Sequence, residues 1–288
     1  LFSRALLLVL AIAALAASTP DRKPGPAKDG ILLPNGWTIT PFGDSVETND
    51  LITNIIPTPD KSAMIALTSG YNPHGLVVID AKKHVAKQRI PLLTTFMGLA
   101  FNPKGDHLYV SGGNITRGKD TRAPVYVFDY KGGKLTEEPV ARLEETVPRE
   151  QIYWCGLAHH PKKDLLYAAN RTAGNIVVFD TKTGAILERI TTEVNPYDLV
   201  ISPDGRTLYC SNWASDSVSV IDTELNRVTA TIPVGDSPND MVLAKDSELL
   251  AGTIVAANGG GGLAGADLSD AMVYRLFEVD VTTQESAQ

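Results

Sequence analysis

Short apolar runs alternate with polar turn residues along most of the chain, most clearly between residues 196 and 234. This stretch predicts four strands, at residues 196–201, 207–211, 218–221 and 227–234. The Ser-Pro-Asp-Gly sequence after the first strand is typical of a tight turn, because proline fixes φ at the first central position and glycine closes the turn. Apolar residues recur at every second position, which favours strands over the 3.6-residue period of a helix.

The same pattern recurs along the chain. The turn prolines Pro59, Pro103, Pro161 and Pro203 are 44, 58 and 42 residues apart. Each turn is followed by an apolar strand and then by a β-branched run that ends in an aspartate, namely Asp80, Asp129, Asp180 and Asp222. Four strands per period of this length are typical of propeller blades. A β-sandwich is the alternative all-β fold, but it gives no reason for one phrase to repeat in register.

The fold class predicted is therefore all-β, a β-propeller of four-stranded blades of the YVTN or WD40 kind. Four full blades and part of a fifth are visible in the pattern. Residues 112–123 lengthen one hairpin and residues 137–149 lengthen the next connection, and long loops of this kind are where binding is usually built. From Ser247 onward a Gly-rich run replaces the expected hairpin. This tail is a divergent last blade, a flexible loop or a reading-frame error.

The N-terminus has the form of a secretory signal peptide at residues 1–17. Arg4 precedes an apolar run that ends in small residues spaced as a cleavage signal, Ala14 and Ala16. The run is too short for a membrane span, which needs roughly 20 apolar residues. A Pro-rich polar linker is expected at residues 18–32 and the propeller domain at residues 33–288. The expected location is the periplasm or the extracellular space, with no stable membrane span after cleavage.

The charge of the chain limits the classes of partner that are expected. The formal net charge is −7 and no stripe of Lys and Arg is present, which argues against nucleic acid or an anionic membrane surface as the partner. The expected partner is a protein, a glycan or a small molecule. Cys155 and Cys210 either form a disulfide, if their Cα atoms come within about 7 Å, or remain two buried thiols. We find no nucleophile, metal or haem motif, and no cofactor is expected.

Propellers bind ligands near the central channel, at the residues that enter each inner strand. The candidate ligand-binding residues at this channel face are Trp154, Tyr197, Asp198, Asn239 and Asp240. Asp198 and Asp240 fall at nearly equivalent blade positions. Two carboxylates facing one channel could hold a cation, or each could accept backbone hydrogen bonds at a loop corner. Similarly, the aromatic rings of Trp154 and Tyr197 can stack on a ligand or pack in the core.

Four short segments carry a family likeness. They resemble the Tyr-Val-Thr-Asn signature of YVTN-repeat (YncE-like) β-propellers and are Tyr109-Val110-Ser111-Gly112, Tyr167-Ala168-Ala169-Asn170, Tyr209-Cys210-Ser211-Asn212 and Val255-Ala256-Ala257-Asn258. The signature tyrosine can pack its ring between adjacent blades, and the asparagine can take a left-handed turn or cap the hairpin that follows. Such propellers usually close with seven blades, which implies a ring truncated in this chain. Alternatively, residues 36–42 supply a strand to a smaller ring.

The opening segment, residues 33–46, resembles exported bacterial proteins in which such a propeller precedes an alkaline-phosphatase-like phosphoesterase domain. Our first hypothesis is an exported scaffold or binding module that presents a loop-lined face to its partner. The alternative is the propeller part of a bifunctional metal-dependent phosphoesterase whose catalytic domain lies beyond residue 288. A self-sufficient propeller enzyme, such as a lactonase-type hydrolase, ranks last because no cluster of catalytic groups is apparent.

Overall fold

Every helix or strand assigned in the computed structural model is a β-strand. The structure describes residues 23–27, 30–40, 45–117, 120–148, 152–243, 249–255, 273–280 and 285–287. The predicted signal peptide lies outside these residues. Within them, no helix is long and apolar enough to cross a membrane. The chain divides into two compact units, Leu1–Ser45 and Val46–Gln288.

The first unit contains a small antiparallel sheet of three strands, β1 (Gly25–Ala27), β2 (Gly30–Leu32) and β3 (Thr38–Ile39). A side chain at Gly30 would overlap the backbone carbonyl of Ile39, so glycine permits this close pairing. Strands β1 and β2 lie within the segment that the sequence analysis assigned to a linker. Strand β3 pairs with β2 and adds no strand to the repeated sheets, contrary to the smaller-ring alternative for residues 36–42.

The second unit contains five antiparallel sheets that follow one another along the chain. The first sheet has four strands in chain order, namely β4 (Ile52–Pro57), β5 (Ala63–Thr68), β6 (Gly75–Asp80) and β7 (Ala86–Pro91). The second sheet has six strands, which are β8 (Leu99–Phe101), β9 (His107–Ser111), β10 (Ile115–Arg117), β11 (Asp120–Lys131), β12 (Lys134–Leu135) and β13 (Ala141–Pro148).

The remaining three sheets again have four strands in chain order. The third consists of β14 (Trp154–His159), β15 (Leu165–Asn170), β16 (Asn175–Asp180) and β17 (Ile186–Thr191). The fourth consists of β18 (Pro196–Ile201), β19 (Thr207–Asn212), β20 (Ser217–Asp222) and β21 (Arg227–Pro233). The fifth consists of β22 (Pro238–Leu243), β23 (Leu249–Val255), β24 (Val273–Asp280) and β25 (Glu285–Ala287). The divergent tail therefore pairs as a last sheet, although its Gly-rich run lies outside the described residues.

The insertions in the second sheet are strands, not the long loops that the sequence analysis expected. Strand β10 pairs with the start of β11, where Ile115 lies opposite Arg122. Strand β13 then pairs with β11 from Val127 back to Asp120. The backbone groups of the inserted residues thus satisfy one another in a ribbon that extends beyond the regular sheet.

The hydrophobic core lies between consecutive sheets, because each strand presents alternate side chains to opposite faces. On β9, Leu108 and Val110 pack into the cluster with the first sheet, while Tyr109 packs into the cluster with the third. The signature tyrosines Tyr109, Tyr167 and Tyr209 all pack against the sheet that follows their own. This confirms that the repeated tyrosine is a packing residue.

The residue before each turn proline caps that turn with a side-chain acceptor. The Oγ1 atom of Thr58 accepts the amide of Ala63 at 3.0 Å, and the Oγ atom of Ser202 accepts the amide of Thr207 at 3.0 Å. In the third sheet the acceptor is Nδ1 of His160, which receives the amides of the two residues after the proline, each at 3.0 Å. Thr58 and Ser202 accept the amide five residues on, whereas His160 accepts those two and three residues on, so several residue types can cap this turn.

The cap formed by His160 is expected to make the stability of the fold depend on pH. Burial and the nearby Lys163 ammonium lower the pKa of His160, and protonation would remove the acceptor at Nδ1. Because the folded-state pKa lies below the unfolded value of about 6.5, the stabilising contribution is complete above that pH. It is lost as the pH falls through the folded-state pKa. We expect His160→Asn, which keeps an acceptor as Asn102 does in the second sheet, to reduce the acid sensitivity of unfolding.

The measurement is the urea midpoint of the wild type and of His160→Asn at about pH 7.5 and about pH 5. The variant should lose less stability between the two conditions than the wild type. His159, whose pKa burial also lowers, is unchanged in the variant and leaves a residual pH dependence. Equal losses in both proteins would contradict the role assigned to His160.

Candidate functional site

The first strand of each sheet lies at one edge of that sheet, and first strands of neighbouring sheets contact each other. Strand β18 contacts the first strands of both neighbouring sheets, β14 and β22. The register of several of these strands shifts near their start, where the pairing skips residues between Pro196 and Leu199 in β18 and between Pro238 and Asp240 in β22. Such bulges redirect side chains. The predicted residues Tyr197, Asp198 and Asn239 all lie in these bulges.

The repeat is broken at Asp198. Gly98, Gly156 and Asp198 are equivalent, because each directly precedes a leucine that pairs with the residue after a signature tyrosine. A Cβ atom added to Gly156 would lie 2.8 Å from the Cα atom of Asp198 and from the backbone nitrogen of Leu199. Glycine therefore permits close packing of β14 on β18. The fourth and fifth sheets carry Asp198 and Asp240 at this position, and the first sheet carries Asn54.

Asp198 contacts the fifth sheet through its carboxyl group. Its Oδ2 atom accepts the backbone amide of Met241 at 2.9 Å, and Oδ1 of Asp240 accepts the same amide at 3.0 Å. The charge of Asp240 also acts on the Asp198 carboxyl group. The backbone amide of Asp198 donates to Oγ of Ser211 at 2.9 Å, as that of Gly98 does to Ser111 at 2.7 Å. The backbone is thus conventional for the repeat, and the side chain is the new feature.

The carboxyl group of Asp198 keeps its proton up to near neutral pH. Burial and then the charge of Asp240 raise the pKa of Asp198 to about 7, against the opposing effect of the Leu199 and Met241 amides. Asp198 lies in a crevice that is crowded by protein atoms but still partly open to solvent, whereas Asp240 is exposed. A protonated carboxyl group donates one hydrogen bond and a carboxylate only accepts. The pair therefore offers both donor and acceptor atoms to a ligand.

Three aromatic side chains, from the segments that lead into β8 and β14 and from β18, contact one another. The ring of Phe96 packs edge-on against Tyr153, with centroids 5.0 Å apart, and against Tyr197, with centroids 5.8 Å apart. Burial raises the pKa of Tyr197 to about 12, so its hydroxyl group stays protonated. These three rings remain partly exposed. They form an apolar patch that begins at Tyr197, the residue before Asp198.

A cation–aromatic pair stands on the same side of the sheets and was missed by the sequence analysis. The guanidinium carbon of Arg171 lies 5.6 Å from the ring centroid of Trp213, and the Trp213 side chain is 37% exposed. The sequence does contain a signal for this pair. Arg171 follows the signature residue Asn170 and Trp213 follows the equivalent Asn212, so adjacent sheets must bring the two side chains together.

Trp154 does not belong to the site, contrary to the sequence prediction. Its side chain is fully buried between the second and third sheets. Its indole Nε1 donates to the carbonyl oxygen of Ala123 at 2.7 Å, and its ring packs edge-on against Phe179 at 5.7 Å. Trp154 lies one residue before the bulge and points into the core, which leaves no surface for a ligand.

The two cysteines are not joined by a disulfide. Cys155 and Cys210 are buried free thiols in adjacent sheets, and burial raises the pKa of both. Within the described part of the chain, no group of three or more His, Cys, Asp or Glu side chains is placed to hold a metal ion. Asp198 and Asp240 are two carboxyl groups without a third such ligand.

The comparisons with known proteins agree with this architecture. A family model described as "Lactonase, 7-bladed beta-propeller" matches residues 98–239, which lie in the second to fifth sheets. A solved structure titled "Kuenenia stuttgartiensis Hydrazine Synthase" matches with a TM-score of 0.57 and 18% identity, over 83% of this chain and 65% of that one. The chain thus spans less than two thirds of that protein, and at this identity the likeness shows the fold alone. No curated protein matches the sequence.

The protein is a β-propeller. The five sheets of the second unit are blades 1 to 5, and the first strand of each blade lies innermost, as propeller geometry requires. The bulges with Tyr197, Asp198 and Asn239 therefore lie where the chain enters the inner strands. This confirms the architecture that the repeat predicted, and it places the carboxyl pair at the seam between the inner strands of blades 4 and 5.

Proposed function

We propose that the protein is an exported β-propeller binding module that takes a small, neutral, hydroxyl-rich ligand such as a sugar at the inner strands of blades 4 and 5. The observation that carries this proposal is Asp198. Blades 2 and 3 have glycine at the equivalent position. Among the described blades, the two that carry a carboxyl group there, blades 4 and 5, are adjacent, and packing of the repeat requires neither group. Such departures from local rules are expected at functional sites, where stability is given up for chemistry.

The chemistry of the site supports a ligand with hydroxyl groups. A hydroxyl group both donates and accepts, and the Asp198–Asp240 pair offers both roles near neutral pH. The rings of Tyr153 and Tyr197 provide an apolar surface for the faces of a sugar ring, as aromatic side chains do at many amphipathic contacts. Asn239, partly exposed in the neighbouring bulge, adds an amide with both donor and acceptor atoms.

The test is a panel of mono- and oligosaccharides measured by calorimetry against the full chain. The chain itself supplies the decisive variant, because Asp198→Gly restores the residue that blades 2 and 3 use. We expect this variant to weaken binding of any bound sugar at least tenfold. Asp236→Asn, at an exposed residue before β22, is the matched control and should bind as the wild type does. Equal affinity in Asp198→Gly, or no sugar bound by the wild type, would refute the proposal.

Export is part of the same proposal and is supported by the N-terminal sequence. Arg4 followed by the apolar run has the form of a cleaved signal. Mass spectrometry of the protein from a secretion-competent host tests it, because cleavage after Ala16 or Ala17 would give a mature chain that begins at Ala17 or Ser18. An intact N-terminus in the cell interior would contradict export.

Lactone hydrolysis is a second candidate, favoured by the match to the lactonase model over residues 98–239 together with the pKa of Asp198 near 7. A carboxyl group with this pKa can take a proton from an attacking water at neutral pH. Release of acid from γ- and δ-lactones, measured in a pH-stat, tests it. Activity that survives in Asp198→Asn would exclude Asp198 as the base.

The finer likeness to YVTN-repeat proteins that carry a phosphoesterase domain also remains a proposal. It is supported by the resemblance of residues 33–46 and by the repeated signature. Sequencing the gene downstream of the codon for Gln288 tests it. A continuous reading frame with metal-ligand motifs would favour a bifunctional hydrolase, and an immediate stop codon would end that proposal.

A further inference from the structure

A second cavity lies beside the ribbon that is inserted in blade 2. Its volume is about 510 Å³, within the range of roughly 300–1,000 Å³ found for small-molecule sites. One wall is the segment that leaves blade 1, Pro91 to Leu93, and the other wall comes from β10, β11, β13 and the connection before β13. None of the residues of the carboxyl pair lines this cavity.

The ribbon has two different faces. Arg122, Pro124 and Tyr126 alternate along β11 and line the cavity. Their cross-strand partners on β13 line it too, since Tyr126 lies opposite Arg142 and Pro124 lies opposite Glu144. The intervening residues of β11 are fully buried against blade 3. The ribbon is therefore anchored by one face and holds the other face rigidly toward the cavity.

The charged groups of the cavity are unusual because they are of both signs and unpaired. Arg122, Arg142, Glu138 and Glu144 all line it. Among the described residues, none of these four takes part in an ion pair within 4.0 Å. The guanidinium carbon of Arg142 instead lies 5.8 Å from the ring centroid of Tyr126. Two cationic and two anionic groups thus surround a floor of proline, leucine and tyrosine side chains.

We propose that this cavity binds a zwitterionic dipeptide with apolar side chains. Arg142 and Glu144 lie two residues apart on one face of β13, a spacing of roughly 7 Å. The charged ends of an extended dipeptide are also roughly 7 Å apart. The carboxylate of the ligand pairs with Arg142 and its ammonium group with Glu144. Its side chains contact Leu93, which is 68% exposed, and the proline surfaces.

The experiment is calorimetric titration of the full chain with the dipeptide phenylalanyl-leucine at low salt. We expect binding that is weakened at least tenfold by Arg142→Gln and by Glu144→Gln. The form of the dipeptide blocked by N-acetyl and C-amide groups should bind at least tenfold more weakly than the free form. Free phenylalanine distinguishes an amino acid from a peptide as the source of the zwitterion, and we expect it to bind more weakly because its charges lie closer together.

Two controls distinguish a loss of binding from a general effect of charge or a loss of folding. Arg227→Gln, at an exposed residue of β21 in blade 4, removes the same charge elsewhere and should leave binding unchanged. Thermal unfolding of each variant checks that the fold is intact, and Glu144→Gln does not touch the contact between Arg142 and Tyr126. The proposal is overturned if the wild type shows no heat of binding at millimolar dipeptide. Equal affinity of the blocked and free dipeptides would overturn it as well.

Discussion

Replacing Gly156 with alanine is expected to destabilise the propeller by about 3 kcal/mol, the upper end of the cost of forcing extra volume into a packed interior. The added methyl group would lie 2.8 Å from three backbone atoms of blade 4, in Tyr197, Asp198 and Leu199. Backbone atoms cannot rotate away as a flexible side chain can. Relief therefore requires the inner strands of blades 3 and 4 to separate, which opens the cluster that contains Cys155 and Cys210.

Chemical denaturation of Gly156→Ala and the wild type measures this effect. Gly113→Ala is the matched control, because a Cβ atom at Gly113 meets its nearest neighbour, Oγ1 of Thr94, at an ordinary 3.4 Å. The control should change the unfolding free energy by less than about 1 kcal/mol. If both variants unfold at the same denaturant concentration, the inner strands are not packed as closely as described.

The sequence predicted the regular blades well because turn chemistry and strand alternation agree in them. In blade 4 the predicted strands at residues 196–201 and 207–211 match β18 and β19 to within one residue. The Ser-Pro-Asp-Gly turn fixes the register of this hairpin, and Gly205 has the positive φ of 81° that the turn requires. Where the local signals point to one answer, a single sequence is sufficient.

The strands of the insertion in blade 2 could not be predicted from these local signals. Its residues contain glycine and charged side chains, which are typical of loops. They form strands because β11 is longer than its pairing with β9: β10 pairs with the part of that edge that β9 leaves, and β13 pairs with the opposite edge. That pairing depends on which strands end first, and the alternation of apolar residues carries no information about it.

The candidate site likewise contains residues whose positions the sequence predicted and one whose direction it could not predict. Equivalent positions in the repeat indicated that Asp198 and Asp240 lie near the inner strands, and the structure brings both carboxyl groups to one backbone amide. The direction of Trp154 could not be predicted. A bulge changes which face each side chain occupies, and its start, between Trp154 and Leu157, cannot be read from alternating residues that are all apolar.

Replacing Asp198 with asparagine is expected to abolish a loss of stability that the wild type shows as the pH rises. The folded-state pKa of Asp198, about 7, lies above its usual value of 3.8. The carboxyl group therefore contributes stability that is fully present below about pH 4 and is lost as the pH rises through 7. Three pKa units correspond to about 4 kcal/mol. We expect about 2 kcal/mol, because the crevice is partly open to solvent and the charge of Asp240 is screened.

The measurement is the difference in unfolding free energy between Asp198→Asn and the wild type at about pH 4.5 and about pH 8. The difference should shift in favour of the variant at the higher pH, since asparagine still accepts the Met241 amide without carrying a charge. Asp204→Asn is the control: hydrogen bonds from Ser202 and the Arg206 amide lower the pKa of Asp204, so its contribution is complete above about pH 4, and its difference from the wild type should be nearly the same at both pH values. A difference that is independent of pH would mean that Asp198 is ionised at little cost. The site would then hold a permanent carboxylate pair, which favours a cationic ligand over the neutral one proposed above.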